Sequence, residues 1–357
     1  MSIWRFSKRL PSVPSEHQLS LGEGDTPLIR SRVIGPDLGL ENLYFKLESV
    51  NPTGSYKDRF AASSVSHLLA KKRSLCLGTS SGNTGAALAA YSAAAGMRCV
   101  LAIVEGAPEA KLQQMQAYGA ELIRIRGFGA DAEVTRTVAN QLRDLAASIE
   151  TELQISAFAF AANGMAGVQS IAWELNEQLR DGIDHLFAPA GGGGLVLATA
   201  RGFAGKRTAV HAVQPEGNDT IAGPLREGLE RARACECTTK VSGLQVASVI
   251  DGNQAVKACR ASGGTGFLVS DDEAFDMQAR LARSEGVFTE PAGAVSLAAL
   301  SDAVAEGKIH HHETVVCLIT GSGFKDTVSV ERMTSRSHCP LVDDFADFES
   351  LVRASGA

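Results

Sequence analysis

One lysine lies at a chain reversal in residues 51–59, NPTGSYKDR. A proline and a glycine interrupt the preceding strand, Ser55 is the candidate N-cap, and a helix is predicted over residues 58–72. Lys57 therefore lies beside a helix N-terminus. Desolvation and the helix dipole both disfavour an ammonium ion there, so a nucleophilic, Schiff-base lysine is one interpretation. The alternative is a solvated lysine beside Asp58, and the choice depends on what the rest of the chain could bind.

A run of four glycines lies between a predicted strand at 185–188 and a predicted helix at 195–203. The run consists of Gly191, Gly192, Gly193 and Gly194. Backbone N–H groups of such a run can converge on an anion, and the helix adds its positive end. The run does not match the dinucleotide-binding fingerprint, because Val196 occupies the position of the third glycine. The chain also has no Walker sequence. The run predicts a site for a single phosphate, with a flexible turn as the alternative.

Two further junctions carry hydroxyl groups. Residues 79–85, TSSGNTG, lie between a predicted strand and a predicted helix and offer several neutral donors to a carboxylate. Thr320 directly follows the predicted strand 314–319. Four features together describe a pyridoxal-phosphate site for an amino-acid substrate. They are a reactive lysine, a cradle for one phosphate, a loop that can bind a carboxylate, and a hydroxyl at the end of a strand.

Five segments, in order along the chain, resemble those of the threonine synthase family. They are residues 51–59, 80–85, 214–217 (QPEG), 290–294 (EPAGA) and 320–326 (TGSGFKD). This family belongs to the pyridoxal-phosphate enzymes of the tryptophan synthase β-subunit fold, known as fold type II. The similarity runs from about residue 22 to residue 326, so it covers most of the chain.

The resemblance implies roles for the cofactor-binding residues. Lys57 would hold the cofactor aldehyde and then move protons as the catalytic acid and base. Asn83 would meet the phenolic oxygen, the four glycines would bind the phosphate, and Thr320 would face the pyridine nitrogen. A neutral hydroxyl does not keep that nitrogen protonated, so elimination or replacement is favoured over transamination.

The substrate side departs from the family pattern. The resemblance gives substrate-binding roles to Ser80, Ser81, Thr84 and Asn163. The family usually follows the matching asparagine with a proline and an arginine that grips the substrate phosphate, yet this chain has no arginine between Arg143 and Arg180. Lys111, Arg124 or a later residue could substitute. The run 242–247 also differs from the family's usual run facing the substrate.

The order of apolar segments predicts the fold. Strand-like runs of four to seven residues alternate with longer Ala- and Leu-rich helical segments, which is typical of α/β proteins with parallel sheets. No linker separates two halves. We therefore expect two interleaved parallel-sheet domains: residues 1–57 with 152–357 form a large cofactor-binding domain, and residues 58–151 form a smaller, mobile one.

Composition narrows the partners. A net charge of −6 argues against nucleic-acid binding, and no apolar run reaches 18 residues, so no membrane span is expected. Seven cysteines without zinc-ligand spacing favour reduced thiols, a cytoplasmic location and no bound metal. A homodimer is expected by resemblance alone.

Three functions remain open at this stage. The first is the threonine synthase reaction, which turns O-phosphohomoserine and water into threonine and phosphate. The second is a related β-elimination or β-replacement enzyme, such as an ammonia-lyase or amino-acid synthase, with a different substrate. The third is a binding protein that has kept the fold and lost the reaction. His211, inside an apolar strand, is expected to be a hydrogen-bonded core residue.

Overall fold

The computed structural model describes residues 2–80, 82–129 and 132–354. Within these ranges ten strands form two sheets with helices packed against them, which confirms the predicted α/β class. The strands are β1 Leu28–Arg30, β2 Asn42–Leu47, β3 Leu75–Thr79, β4 Arg98–Val104, β5 Glu121–Ile125, β6 Leu153–Gln154, β7 His185–Pro189, β8 Ala209–Pro215, β9 Gly266–Val269 and β10 Thr314–Ile319.

The longer helices follow the strands along the chain. They are α1 Lys57–Ala70, α2 Asn83–Ala94, α3 Glu109–Ala117, α4 Ala132–Ser148, α5 Phe158–Val168, α6 Ser170–Gln178, α7 Gly194–Gly202, α8 Gly252–Ala261, α9 Asp271–Arg280, α10 Pro291–Ala298, α11 Leu300–Ala305, α12 Thr327–Thr334 and α13 Phe345–Ala354. In the described ranges, no helix is both long enough and apolar enough to cross a membrane.

The larger sheet has the order β1-β2-β10-β7-β8-β9, and the smaller has the order β5-β4-β3-β6. Strand β1 pairs with β2 in antiparallel fashion, and the remaining pairs are parallel. Parallel strands covered on both faces are apolar along their whole length, and each residue of β8 is accordingly buried. The smaller sheet draws its strands from residues 75–154, so β6 lies just past the predicted boundary at 151. The division into domains stays a prediction.

Most predicted elements are present within about two residues, and one helix is not as predicted. The expected helix at 165–179 is two helices, α5 and α6, separated at Gln169. Helix α5 packs closely on α1 because it carries two glycines at the contact. A Cβ atom on Gly164 would lie 2.0 Å from Ser64 Oγ, and one on Gly167 would lie 2.3 Å from the carbonyl oxygen of Arg59. Tertiary packing therefore decides the path of this segment.

His211 is a core histidine, as predicted. The Thr265 N–H donates to His211 Nδ1 over 3.1 Å, so the ring proton is on Nε2 and points to His185 Nδ1 at 3.0 Å. His185 Nε2 in turn lies 3.2 Å from Glu313 Oε2. Burial, with a smaller contribution from His185, lowers the pKa of His211 to about 3. The ring is neutral and structural at physiological pH.

A buried charge network fixes the start of α1. Arg59 donates from Nε and Nη2 to the two carboxylate oxygens of Glu48, over 2.7 and 2.8 Å. It also donates from Nη1 and Nη2 to the two oxygens of Glu174, each over 2.7 Å. Lys46 Nζ adds a contact of 3.0 Å to Glu174. Burial alone would raise the pKa of Glu174, but the charge and hydrogen bonds of Arg59 outweigh it and the pKa is lowered.

We expect Arg59→Met to lower the free energy of unfolding by about 3–5 kcal/mol, because two buried carboxylates lose their main cation. Urea denaturation followed by circular dichroism measures this change. Arg98→Met is the matched control, since Arg98 pairs with Glu121 on the exposed surface and should shift the midpoint very little. Equal shifts in the two variants would contradict the assignment of Arg59 as a structural anchor.

Candidate active site

A cavity of about 610 Å³ opens between the two sheets, where the carboxyl ends of their strands face each other. Loops that follow β3, β6, β7 and β10 line it, as expected for a ligand site in an α/β protein. The structure brings most of the predicted site residues together at this cavity: Lys57, Ser80, Asn83, Thr84, Gly191, Gly192, Gly193, Gly194 and Thr320. Ser81 lies outside the described residues.

Lys57 is the first residue of α1, and the turn before it is held differently than predicted. Ser55 is not the N-cap, because that position belongs to Tyr56, which makes no side-chain capping bond. Instead, the carboxylate of Asp58 accepts hydrogen bonds from the Thr53 backbone N–H at 3.1 Å and from Thr53 Oγ1 at 2.8 Å. Burial raises the pKa of Asp58 to about 7.

The amine of Lys57 starts a short hydrogen-bond chain inside the cavity. Lys57 Nζ donates to Ser156 Oγ over 2.6 Å, and Ser156 Oγ lies 2.9 Å from Thr84 Oγ1. The ring of Tyr56 lies beneath the amine, with 4.6 Å from Nζ to the ring centroid. Sequence reasoning missed Ser156, because it follows the two-residue strand β6, which has no readable pattern. The two hydroxyls can hold the amine in place and share a proton with it.

The glycine run forms an open anion cradle at the start of α7. Gly193 has a φ of +93°, a conformation that favours glycine, and no side chain caps the helix. A Cβ atom on Gly193 would lie 3.0 Å from Ile221 Cδ1 and 3.1 Å from Ala255 Cβ. The helix N-terminus is therefore exposed to the cavity through bare backbone, which suits a phosphate group.

Thr320 directly follows β10 and lines the cavity while almost fully buried. Its Oγ1 has no hydrogen-bond partner among the described residues. A buried hydroxyl without a partner is costly, and one that faces a cavity suits a ligand atom that can bond to it. This hydroxyl, the glycine cradle and Lys57 therefore fit a cofactor with a ring nitrogen, a phosphate and an aldehyde, which are the groups of pyridoxal phosphate.

Asn83 opens α2 and makes a contact that sequence reasoning did not assign. Its Nδ2 donates to the carboxylate of Glu290, at 2.9 Å from Oε1 and 3.1 Å from Oε2. Glu290 is buried, and burial raises its pKa to about 7. The EPAGA segment was the only available signal for Glu290.

Two lysines besides Lys57 line the cavity. Lys111 on α3 donates to Ser242 Oγ and lies 4.0 Å from Asp326 Oδ2. Lys325, which follows β10, donates to Gln114 Oε1 over 2.5 Å. Burial lowers the pKa of Lys325. No arginine is among the described residues that line the cavity.

Two residues considered from the sequence lie elsewhere. Arg124 is exposed and donates to the Ala107 carbonyl oxygen at 2.9 Å, with Glu109 Oε1 at 2.7 Å. Asn163 lies on α5, and its carbonyl oxygen accepts a hydrogen bond of 2.7 Å from Ser63 Oγ. Asn163 is not among the described residues that line the cavity. Its role in substrate binding stays a prediction.

Comparison with known proteins indicates the same class of enzyme as the residues of the cavity. Fold and site define a pyridoxal-phosphate dependent enzyme, and the model of the family described in those words matches residues 19–321. The chain is 33% identical over 342 residues to threonine synthase of Methanocaldococcus jannaschii, covering 91% of this chain and 81% of that protein. It is 34% identical over 331 residues to threonine synthase of Bacillus sp. strain ULM1, covering 90% and 89%. The chain belongs to the threonine synthase family.

Solved structures show the same fold. Processed threonine deaminase isoform 2 from Solanum lycopersicum superposes with a TM-score of 0.75 at 20% identity, covering 94% of each chain. Maize serine racemase superposes with a TM-score of 0.74 at 24% identity, covering 94% of this chain and 96% of the other. Fold type II is therefore confirmed by structures whose sequences have diverged widely from this one.

We expect Gly193→Ala to weaken pyridoxal-phosphate binding by about tenfold or more, because the new Cβ crowds Ile221 and displaces the N–H groups of the cradle. Equilibrium dialysis with the free cofactor measures this change. Gly182→Ala is the matched control: Gly182 has a φ of +104° but no neighbouring atom within 4 Å of an added Cβ. It carries the same backbone strain and should keep the wild-type affinity. Equal losses in both variants would mean that strain, and not the cradle, controls binding.

Proposed function

We propose that this enzyme converts O-phosphohomoserine and water into threonine and phosphate. The relatives named threonine synthase support this proposal, since they are 33% and 34% identical across at least 90% of the chain. The observation that carries it is the pair Lys111 and Lys325, which line the same cavity as Lys57 from different elements. A substrate that carries both a carboxylate and a phosphate needs such positive charge at a distance from its amine.

The proposed cofactor contacts follow from the cavity. Pyridoxal phosphate, when bound, supplies an electron-withdrawing ring that stabilises negative charge on neighbouring substrate carbons. In this proposal Lys57 holds the cofactor aldehyde and moves protons between substrate carbons. The glycine cradle binds the phosphate, Thr320 faces the ring nitrogen, and Asn83 meets the ring oxygen.

In the proposed complex, the carboxylate and the phosphate of the substrate bind at separate places in the cavity. Ser80, Ser81 and Thr84 bind the carboxylate through hydroxyl and backbone donors at the start of α2. Lys111 and Lys325 bind the phosphate. To do so, they give up their hydrogen bonds to Ser242 and Gln114. A lysine acts as a compact point charge and does not need the fixed fork of an arginine, so two of them can replace the missing guanidinium.

Purified protein with pyridoxal phosphate and O-phosphohomoserine is expected to release phosphate and threonine in equal amounts. Lys57→Ala should abolish both, and the absorption band of the bound cofactor should change with it. No phosphate release, together with pyruvate or 2-oxobutanoate from another amino acid, would instead support the related β-elimination or β-replacement enzyme. A protein that binds no cofactor under any condition would contradict both.

We expect Lys111→Met and Lys325→Met each to lower kcat/KM for O-phosphohomoserine by about tenfold or more, since each removes a charged contact to the phosphate. Steady-state assays of phosphate release measure this change. Arg124→Met removes a cation from the same region outside the cavity and should leave kcat/KM near the wild-type value. A loss in Arg124→Met as large as in the lysine variants would show that general charge, and not the two contacts, is responsible.

We also propose that the enzyme acts in the cytoplasm as a homodimer. All seven cysteines are free thiols, which suits a reducing compartment. Helix α13 exposes Phe345, Phe348 and Val352, which is apolar surface that a second subunit could cover. Size-exclusion chromatography with light scattering measures the subunit number, and a monomer at micromolar concentration would contradict this part of the proposal.

A further inference from the structure

Glu290 is a buried carboxylate that faces the cavity and has no part in the proposed reaction so far. It lies immediately before α10, and its backbone N–H donates to the Gly321 carbonyl oxygen at 3.0 Å. Its side chain fits only because residue 321 is a glycine: a Cβ atom there would lie 2.3 Å from Glu290 Oε1. The carboxylate is thus built into the wall beside Thr320.

The contact between Glu290 and Asn83 joins the two halves of the cavity. Asn83 follows β3 of the smaller sheet, whereas Glu290 lies beside the end of β10 in the larger sheet. Both carboxylate oxygens lie within 3.1 Å of Asn83 Nδ2. One carboxylate therefore fixes an amide on the opposite wall.

The chemistry of the pair determines how the amide is oriented. An ionised carboxylate only accepts hydrogen bonds, so the nitrogen of Asn83 must face it and the amide oxygen must point away. A single N–H group can reach both carboxylate oxygens, which leaves the second N–H for another acceptor. A neutral carboxylic acid can donate to the amide oxygen instead, which would allow the amide to turn over and present different atoms to the cavity.

We propose that Glu290 is a positioning residue whose ionised carboxylate orients the Asn83 amide, so that one N–H group of Asn83 is presented to the ring oxygen of the cofactor. This inference rests on the proposed contact between Asn83 and the cofactor. It explains why an acidic residue lies in this wall of the cavity, and it predicts that the orientation of the Asn83 amide depends on pH.

The sign of the pH dependence follows from the surroundings of Glu290. Burial is the largest cause that raises the pKa of Glu290, and Asp326 adds to it. The Asn83 hydrogen bond and the charges of Lys325 and Lys111 oppose this increase, and the net pKa is about 7. The carboxylate is therefore ionised above about pH 7 and neutral below it. The amide is held in one orientation at the higher pH and is released as the pH falls through this value.

The first test uses the cofactor-free protein. The side-chain amide resonances of Asn83, assigned by comparison with Asn83→Ala, are expected to shift with pH with a midpoint near 7. Glu290→Gln should abolish this midpoint, because a glutamine does not titrate. Asp58→Asn is the matched control, since Asp58 also has a pKa near 7 and lies beside Lys57. A midpoint that disappears in Asp58→Asn and persists in Glu290→Gln would overturn the proposal.

The second test uses cofactor binding. At pH 8, Glu290→Gln should raise the dissociation constant of pyridoxal phosphate by about tenfold, and at pH 6 the variant and wild type should agree within about twofold. Glu290→Asp, which keeps the carboxylate, should retain part of the pH dependence. If Glu290→Gln binds the cofactor with wild-type affinity at both pH values while Asn83→Ala binds it more weakly, the role of Glu290 is overturned and the contact between Asn83 and the cofactor stands. Unchanged binding in Asn83→Ala would overturn the cofactor contact on which the inference rests.

Discussion

The geometry of the site depends on the guanidinium of Arg59, which lies fully buried between Glu48 and Glu174. Four of its five N–H groups donate to the two carboxylates in bidentate fashion and the fifth donates to Ser170 Oγ, an arrangement that a lysine could not provide. Glu48 follows β2, Glu174 lies on α6, and Arg59 lies in the first turn of α1, so one side chain joins three elements. Lys57 lies two residues earlier in the same turn. The amine is therefore positioned by a charge cluster that lies behind it and does not itself enter the cavity.

Helix packing has a second consequence, for the substrate side of the cavity. Gly164 and Gly167 bring α5 against the backbone of α1, and Asn163 on this helix is not among the described residues that line the cavity. Besides Lys57, the basic side chains among the described residues that line the cavity are Lys111 and Lys325. Lys111 contacts Ser242 and also lies 4.0 Å from Asp326 Oδ2, and Lys325 contacts Gln114. A doubly charged phosphate can displace the two neutral partners, Ser242 and Gln114, with little cost in electrostatic energy.

The polar groups of the cavity fall into two kinds. Thr320, the glycine cradle and the hydroxyls of Ser156 and Thr84 are neutral and offer fixed directional contacts. Glu290, Lys111 and Lys325 carry ionisable groups in a poorly solvated space. Burial there raises the pKa of Glu290 and lowers the pKa of Lys325, while the attraction between these two side chains opposes both shifts. The neutral groups suit recognition of the cofactor. Of the charged groups, Glu290 suits orientation of the Asn83 amide, and the two lysines suit recognition of the substrate phosphate.

The sequence by itself determined the fold class and the strand and helix alternation, and it pointed to nine of the residues that line the cavity. Lys57, the loop at 79–85, the four glycines and Thr320 lie at strand-to-helix junctions, and parallel strands bring such junctions to one edge of a sheet. Local patterns could not reveal Ser156 or the split of the helix at Gln169, because these depend on contacts between distant segments. The pairing of Asn83 with Glu290 spans 207 residues, and the Arg59 cluster joins residues 48 and 174. Only the tertiary structure decided these, since a side chain's partners and burial are set by which elements pack together and not by its neighbours in the chain.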